Sequence, residues 1–197
     1  MLPRRPLDPK VQMDRHTSMI GTALAIAMAL PQAVLAQDLP NPFKSALIDS
    51  LVYGVYCAEG PIELQEAPDT AAGVVNIVPG LPEMRAVTTL VPAQIGIGFG
   101  ILIEAREGLI LDPATVTITH PPYPDTGIEV ERWVTSIDGD GPGLIGFSFE
   151  VESELVTGRW TFEAEHQGDL LFRIDFEVVP PALLPDLAQG CSGAILS

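Results

Sequence analysis

GRWTFEAEHQGDLLFRIDFEVV, residues 158–179, decides the fold. In its first half Trp160, Phe162 and Ala164 alternate with Thr161, Glu163 and Glu165. In its second half Phe172, Ile174, Phe176 and Val178 alternate with Arg173, Asp175 and Glu177. Successive side chains of a strand point to opposite faces, so a period of two marks an extended chain with one face buried. Gln167, Gly168 and Asp169 join the halves. A short polar join containing glycine between two such runs makes a β-hairpin.

The same alternation recurs upstream in Ile145, Phe147, Phe149 and Val151, in Val116 and Ile118, and in Ile97, Phe99, Ile101 and Ile103. Residues 50–57, 73–78, 86–91 and 128–135 follow it less cleanly. Between the runs lie turn residues such as Pro79 and Gly80, Asp112 and Pro113, residues 121–127 and residues 138–143. Helical spacing of apolar residues is confined to residues 42–51. About eight or nine short strands without interposed helices predict an all-β chain, an antiparallel immunoglobulin-like β-sandwich. A closed barrel of lipocalin type is the alternative, and it asks for longer, more uniform strands.

Ahead of this domain stands a leader. Arg15 and His16 precede a small and apolar run over residues 19–30, then Pro31, then the small residues that end at Ala36. Basic start, apolar middle, helix breaker and small residues are the order of a secretory signal, here an N-terminal signal helix cut after Ala36. The run falls short of the roughly 20 apolar residues that cross a bilayer, so no membrane span is expected after cleavage. Met13 offers a tidier start than Met1. The expected organisation is a signal peptide over 1–36, a linker over 37–46, a β-sandwich over 47–180 and a tail over 181–197.

The leader takes four of the ten Lys and Arg but only two of the 26 acids, which leaves 24 acids against 6 bases and a net charge of −18 on 161 residues. Nucleic acids and anionic membranes need basic surface, so neither is an expected partner. Cys57 and Cys191 are the only cysteines. In an oxidising compartment an even pair reads as one disulfide, pinning the tail to the first strand. A catalytic thiol is the rival reading and needs an activating base nearby.

Three further stretches carry a resemblance: VPAQIGIGFGI at 91–101, THPP at 119–122, and GFSFEVESELVTGRW at 146–160 continuing through the hairpin to Val179. In these the chain, from about Leu51 to Val179, resembles an uncharacterised bacterial family, the domain of unknown function 3859. The resemblance implies a compact β domain and no assigned activity. The final hairpin is also similar to the closing strands of many immunoglobulin-like modules, a likeness of fold only.

No catalytic set converges. Ser148 lies mid-strand between Phe147 and Phe149, without the small neighbours of a nucleophile elbow. His120, before Pro121 and Pro122, reads as a loop-end residue that packs or hydrogen-bonds locally, and His166 ends a strand. Glu150, Glu152 and Glu154 alternate along one strand, as do Glu163 and Glu165, and each set reads as a solvated face. Asp138, Gly139, Asp140 and Gly141 form an acidic turn, with Asp138 and Asp140 as weak calcium candidates. Turn chemistry alone accounts for that segment, and no other cofactor is expected. Gly96, Gly98 and Gly100 alternate within a strand and admit close approach of a crossing strand, a ligand, or a large side chain such as Trp133 or Trp160.

These readings predict a periplasmic or secreted module of the cell envelope that acts by binding an envelope protein or ligand. A hydrolase of polysaccharide or peptide that uses surface carboxylates is the second expectation, and it demands a cleft with two acids in unequal environments. A calcium-stabilised structural domain is the third. A concave pocket around Glu104, His120 or Asp125 would favour the enzyme.

Overall fold

The computed structural model describes residues 41–191, all within one compact unit that spans Asp38–Ser197. The signal peptide, its cut after Ala36, the first residues of the linker and residues 192–197 of the tail lie outside the described residues. In chain order the first strands are β1 (Phe43–Lys44), β2 (Ile48–Cys57), β3 (Glu63–Glu66), β4 (Val74–Ile77), β5 (Leu90–Pro92) and β6 (Ile97–Ala105). Then come β7 (Ile110–Thr119), β8 (Val130–Asp138), β9 (Gly143–Ser148), β10 (Gly158–His166) and β11 (Asp169–Val179). Two 3₁₀ turns, Glu152–Glu154 and Pro181–Leu183, and a short helix α1 (Pro185–Gln189) complete the described elements.

The hairpin that opened the reading is β10 and β11. Trp160 pairs with Phe176, Phe162 with Ile174 and Ala164 with Phe172, so the alternating apolar residues share one face. His166 pairs with Asp169, which shortens the loop to Gln167 and Gly168, at φ 53° and 88°. Left-handed backbone at both positions matches the twist of the flanking strands. A register shift beside Ala164 lets the adjacent residues Leu171 and Phe172 both bury completely.

Strands β1, β11, β10, β7 and β8 form one antiparallel sheet in that order, and β5 joins β11 in parallel. Strands β2, β6 and β9 form the second sheet, and β3 and β4 a separate two-stranded hairpin. The two larger sheets face each other across one apolar core, the expected sandwich. Phe99 of β6 is its centre, with ring centroids 5.5 Å from Trp160, 5.3 Å from Phe162 and 5.3 Å from Phe176 of the opposite sheet. Buried Trp160 satisfies its one polar atom by donating from Nε1 to the Val156 carbonyl at 3.1 Å.

Several expectations need correction. Residues 42–51 hold no helix: Phe43 and Lys44 pair with Arg173 and Phe172, because the edge of β11 offers unpaired backbone groups that a strand satisfies. Asn41 is tied as well, through Nδ2 to the Asp175 carbonyl at 3.3 Å and from the Asp175 N–H to Oδ1 at 3.0 Å. The β domain therefore starts at β1, inside the segment read as linker. Strands β1 and β3 escaped the reading, the first for shortness and the second because ELQE is exposed throughout and carries no alternation. Strand β9 stops at Ser148, and Glu152–Glu154 is a 3₁₀ turn, so Glu150, Glu152 and Glu154 do not line one strand face.

The tail closes the sandwich. Cys57 and Cys191 form the disulfide, with Cα atoms 5.1 Å apart across a sequence separation of 134. Beside it, Gln94 donates from Nε2 to the Ala188 carbonyl at 2.7 Å. Among the described residues no helix is long and apolar enough to cross a membrane.

Candidate functional site

Strand β8 runs antiparallel to β7, which puts Glu131, Trp133, Thr135 and Ile137 on one row. Ile137 is buried, and so, unexpectedly for an acid, is Glu131, at 5 % exposure. A buried carboxylate survives only where donors replace its water. The Tyr123 hydroxyl donates to Glu131 Oε1 at 2.8 Å, and the Ala71 N–H donates to Oε2 at 2.9 Å. His120 Nε2 faces Oε1 at 3.3 Å, a close polar contact off the line of a good hydrogen bond. Burial opposes ionisation of Glu131, but His120, the Ala71 N–H and the Tyr123 hydroxyl outweigh it and hold the carboxyl below its ordinary range. Tyr123 moves the other way, pushed far up by burial and then by the charge and hydrogen bond of Glu131.

His120 follows β7 and is held in an aromatic stack. Its ring lies 4.2 Å from Tyr123 and 4.5 Å from Trp160, at 31° and 22° to them. Nδ1 is 2.8 Å from the Pro121 carbonyl, an oxygen that only accepts, so Nδ1 carries a proton.

In front of Glu131 opens a cleft of about 170 Å³. Hairpin β3–β4 forms one wall with Thr70, Ala71, Val74 and Asn76; Trp133, Leu144, Phe147 and Ser148 form the other. Glu59, Glu150 and Glu154 complete the acidic part of the lining. Glu154 reaches back from its 3₁₀ turn, and its Oε2 accepts the N–H groups of Glu150 and Val151 at 2.7 and 3.1 Å. Burial, joined by the charges of Glu150 and Glu131, still leaves its carboxyl above the ordinary range despite those bonds. Two acids displaced in opposite directions thus share one cleft.

The sequence model of the family described as Domain of unknown function (DUF3859) matches residues 44–178, from β1 to the penultimate residue of β11. The chain belongs to this family. Among solved structures it is similar to an immunoglobulin-like protein from Pseudomonas aeruginosa, at 21 % identity and a TM-score of 0.46, covering 72 % of this chain and 99 % of that one. None of the curated proteins matches it.

Within this DUF3859 domain the residues singled out from sequence scatter. Of Glu104, His120 and Asp125, His120 alone adjoins the cleft, behind Glu131; Glu104 lies on β6 and Asp125 is exposed in the 121–129 loop. Ser148 ends β9 and lines the cleft. His166 holds the Pro113 carbonyl at 2.9 Å through Nδ1, and Glu163 pairs with Arg173 at 3.2 Å. Asp138 accepts from Ser136 Oγ at 2.7 Å, and Asp140 lies beyond it in the turn before β9. Among the described residues no three His, Cys, Asp or Glu side chains gather as metal ligands. The space above Gly98 belongs to Tyr56, not to Trp133 or Trp160. Glu131 and Tyr123 were missed. The signal for Glu131 was its phase: it precedes Trp133 by two and Ile137 by six, on the inward row of its strand.

Proposed function

We propose that this chain is an exported module of the bacterial cell envelope, periplasmic or secreted, that acts by binding a partner in the cleft beneath hairpin β3–β4. The observation that carries the reading is the cleft lining, where Val74, Leu144 and Phe147 stand beside Glu59, Glu150 and Glu154, with no Lys, Arg or His among the lining residues. Apolar walls beside carboxylates suit a Lys or Arg side chain, whose aliphatic stem packs while its charged end is matched. Export is supported by the leader pattern and by a disulfide suited to an oxidising compartment.

Titrating labelled protein with short basic peptides tests this. Amide shifts confined to Ala71, Asn76, Trp133 and Ser148, weakened by Glu150→Lys, are the expected outcome. Equal shifts with acidic peptides, or shifts elsewhere on the sandwich, would remove the cleft as the binding site.

A hydrolase remains the second reading, favoured by the opposed displacements of Glu131 and Glu154. Against it, Glu131 is already engaged by Tyr123, Ala71 and His120. Turnover of a polysaccharide or peptide that Glu154→Gln abolishes would reverse the ranking.

A further inference from the structure

Strand β9 is the outer strand of its sheet and pairs with β6 alone. The Phe149 N–H bonds the Ile97 carbonyl at 2.9 Å, which sets the phase of that ladder. Alternation then spends the backbone groups of Ile145 and Phe147 on β6 and turns the N–H and C=O of Leu144, Gly146 and Ser148 to the open side. Those same residues line the cleft, across from Val74 and Asn76 of β4. Among the described residues no backbone hydrogen bond reaches that side of β9.

The other ends of the two large sheets are blunted. Strands β1 and β5, on the outer side of β11, are 2 and 3 residues long. On β2 the Val55 N–H bonds the Ala86 carbonyl at 3.0 Å, and Lys44 Nζ donates to the Asp49 carbonyl at 2.6 Å. On β8 the Arg132 N–H bonds the Asp69 carbonyl at 2.9 Å, and Glu131 and Arg132 place charges within the strand. Short edges, covering bonds and charges are the devices that keep a sheet from pairing with other chains. Strand β9, GLIGFS, carries no charge and no proline. A bare edge of this kind is a template for another extended chain.

We infer that an extended basic segment of a partner protein adds to β9 as an extra strand, its backbone bonded to Leu144, Gly146 and Ser148 and a lysine or arginine side chain directed to Glu59, Glu150 and Glu154. Its basic character rests on the cleft reading proposed above; its extended form rests on the edge. Backbone bonds supply affinity without regard to sequence, while the cleft selects side chains, which project to one face at every second residue of a strand. From Leu144 to Ser148 the edge spans about 14 Å at roughly 3.4 Å per residue, room for a segment of about five residues. A second copy of this chain is disfavoured as the occupant, because a formal net charge of −16 on each copy sets acidic surface against acidic lining.

Amide hydrogen exchange of the full chain with a short capped peptide of alternating lysine and valine reads the added strand. Saturating peptide slows exchange at Leu144, Gly146 and Ser148 by about tenfold or more, while Ile145 and Phe147, already bonded to β6, change little. N-methylation of every second peptide residue weakens binding by about tenfold or more in one phase and far less in the other, since one row of peptide N–H groups meets β9. Amide shifts at Ala71 and Trp133 without protection at Gly146, or equal effects of the two methylation phases, would overturn strand addition and leave the cleft reading standing. Equal protection from a peptide of alternating glutamate and valine would overturn the basic partner, and the cleft reading with it, while edge pairing stood. Protection at Gly146 that grows with protein concentration alone would make a second copy the occupant and overturn the proposal, and no binding of either peptide would overturn both readings.

Discussion

The ring of Tyr56 occupies the space that a side chain on Gly98 would need. Tyr56 projects from β2 across β6 and β9 and is 4 % exposed, and a Cβ built on Gly98 or on Gly146 would overlap it. Gly98 of β6 and Gly146 of β9 therefore make room for a tyrosine that the chain itself supplies, whereas a Cβ on Gly100 would meet the β9 backbone at Ile145 and Gly146. Burial pushes the Tyr56 hydroxyl up to about 12, with Ser148 pulling it partly back, so it is a neutral packing group.

Gly98→Ala is accordingly expected to destabilise the fold by about 1 to 3 kcal/mol, the cost of forcing extra volume into a packed interior. Urea denaturation measures it. The penalty should shrink when Tyr56→Ala is made in the same chain, because the overlap then has no partner. An unchanged midpoint for Gly98→Ala would show that the ring yields freely.

How much of this was legible depended on burial. The alternation from Trp160 to Val178 was readable because both strands bury one face and leave the other partly open, whereas β6 carries its alternation with no residue exposed, its glycine face covered in part by Tyr56. Hairpin β3–β4 was half-readable: residues 73–78 carry apolar alternation, but ELQE faces solvent and binds its partner through backbone alone. The site was hidden for another reason. Glu131, Tyr123 and His120 meet by tertiary contact between a strand and the loop before it, and a buried acid resembles a solvated one in sequence until its phase is checked. Glu154 misled because alternation ran on past Ser148, where the backbone turns to bury Phe149.

Opening the Cys57–Cys191 bond by a double serine variant should lower stability by roughly 4 to 5 kcal/mol at most, the chain-entropy value for so long a closed loop. Contacts such as Gln94 with Ala188 retain part of the closure without the bond, so the measured loss falls below that ceiling. Chemical denaturation with and without reductant gives the figure. A loss near zero would mean that the tail is held entirely by packing.

At the turn after β8, added calcium should leave the melting temperature where chelator leaves it. Asp138 already accepts from Ser136, and the backbone N–H of Gly139 is bonded to the Leu109 carbonyl at 2.9 Å. Turn chemistry thus accounts for the segment. A calcium-dependent rise that Asp138→Asn and Asp140→Asn remove would establish a site there.

Replacing Glu131 separates charge from hydrogen bonding. Glu131→Ala strands His120, the Tyr123 hydroxyl and the Ala71 N–H together, and removal of one partner from a buried pair costs about 3 to 5 kcal/mol. Glu131→Gln retains an acceptor and should lose less. Thermal melts rank the two variants, and equal losses would locate the effect in the charge alone.

The two carboxyls of the cleft should give stability opposite slopes with pH. Glu131 is held below its unfolded value, so its contribution is present above the unfolded carboxylate range and disappears as the pH falls through the lower folded value. Glu154 is held above its unfolded value, so its favourable contribution is present below the unfolded range and disappears as the pH rises through the higher folded value. Glu154→Gln resembles the protonated acid at every pH. Its melting temperature relative to wild type should therefore climb between about pH 4 and pH 7, while that of Glu131→Gln relative to wild type falls over the acid part of the range. Melting curves of the three proteins in matched buffers measure both slopes. Parallel profiles would mean that the two acids feel the same surroundings, which their partners in the fold contradict: Glu131 has Tyr123, His120 and Ala71, whereas Glu154 has two backbone N–H groups and the charges of Glu150 and Glu131 against it.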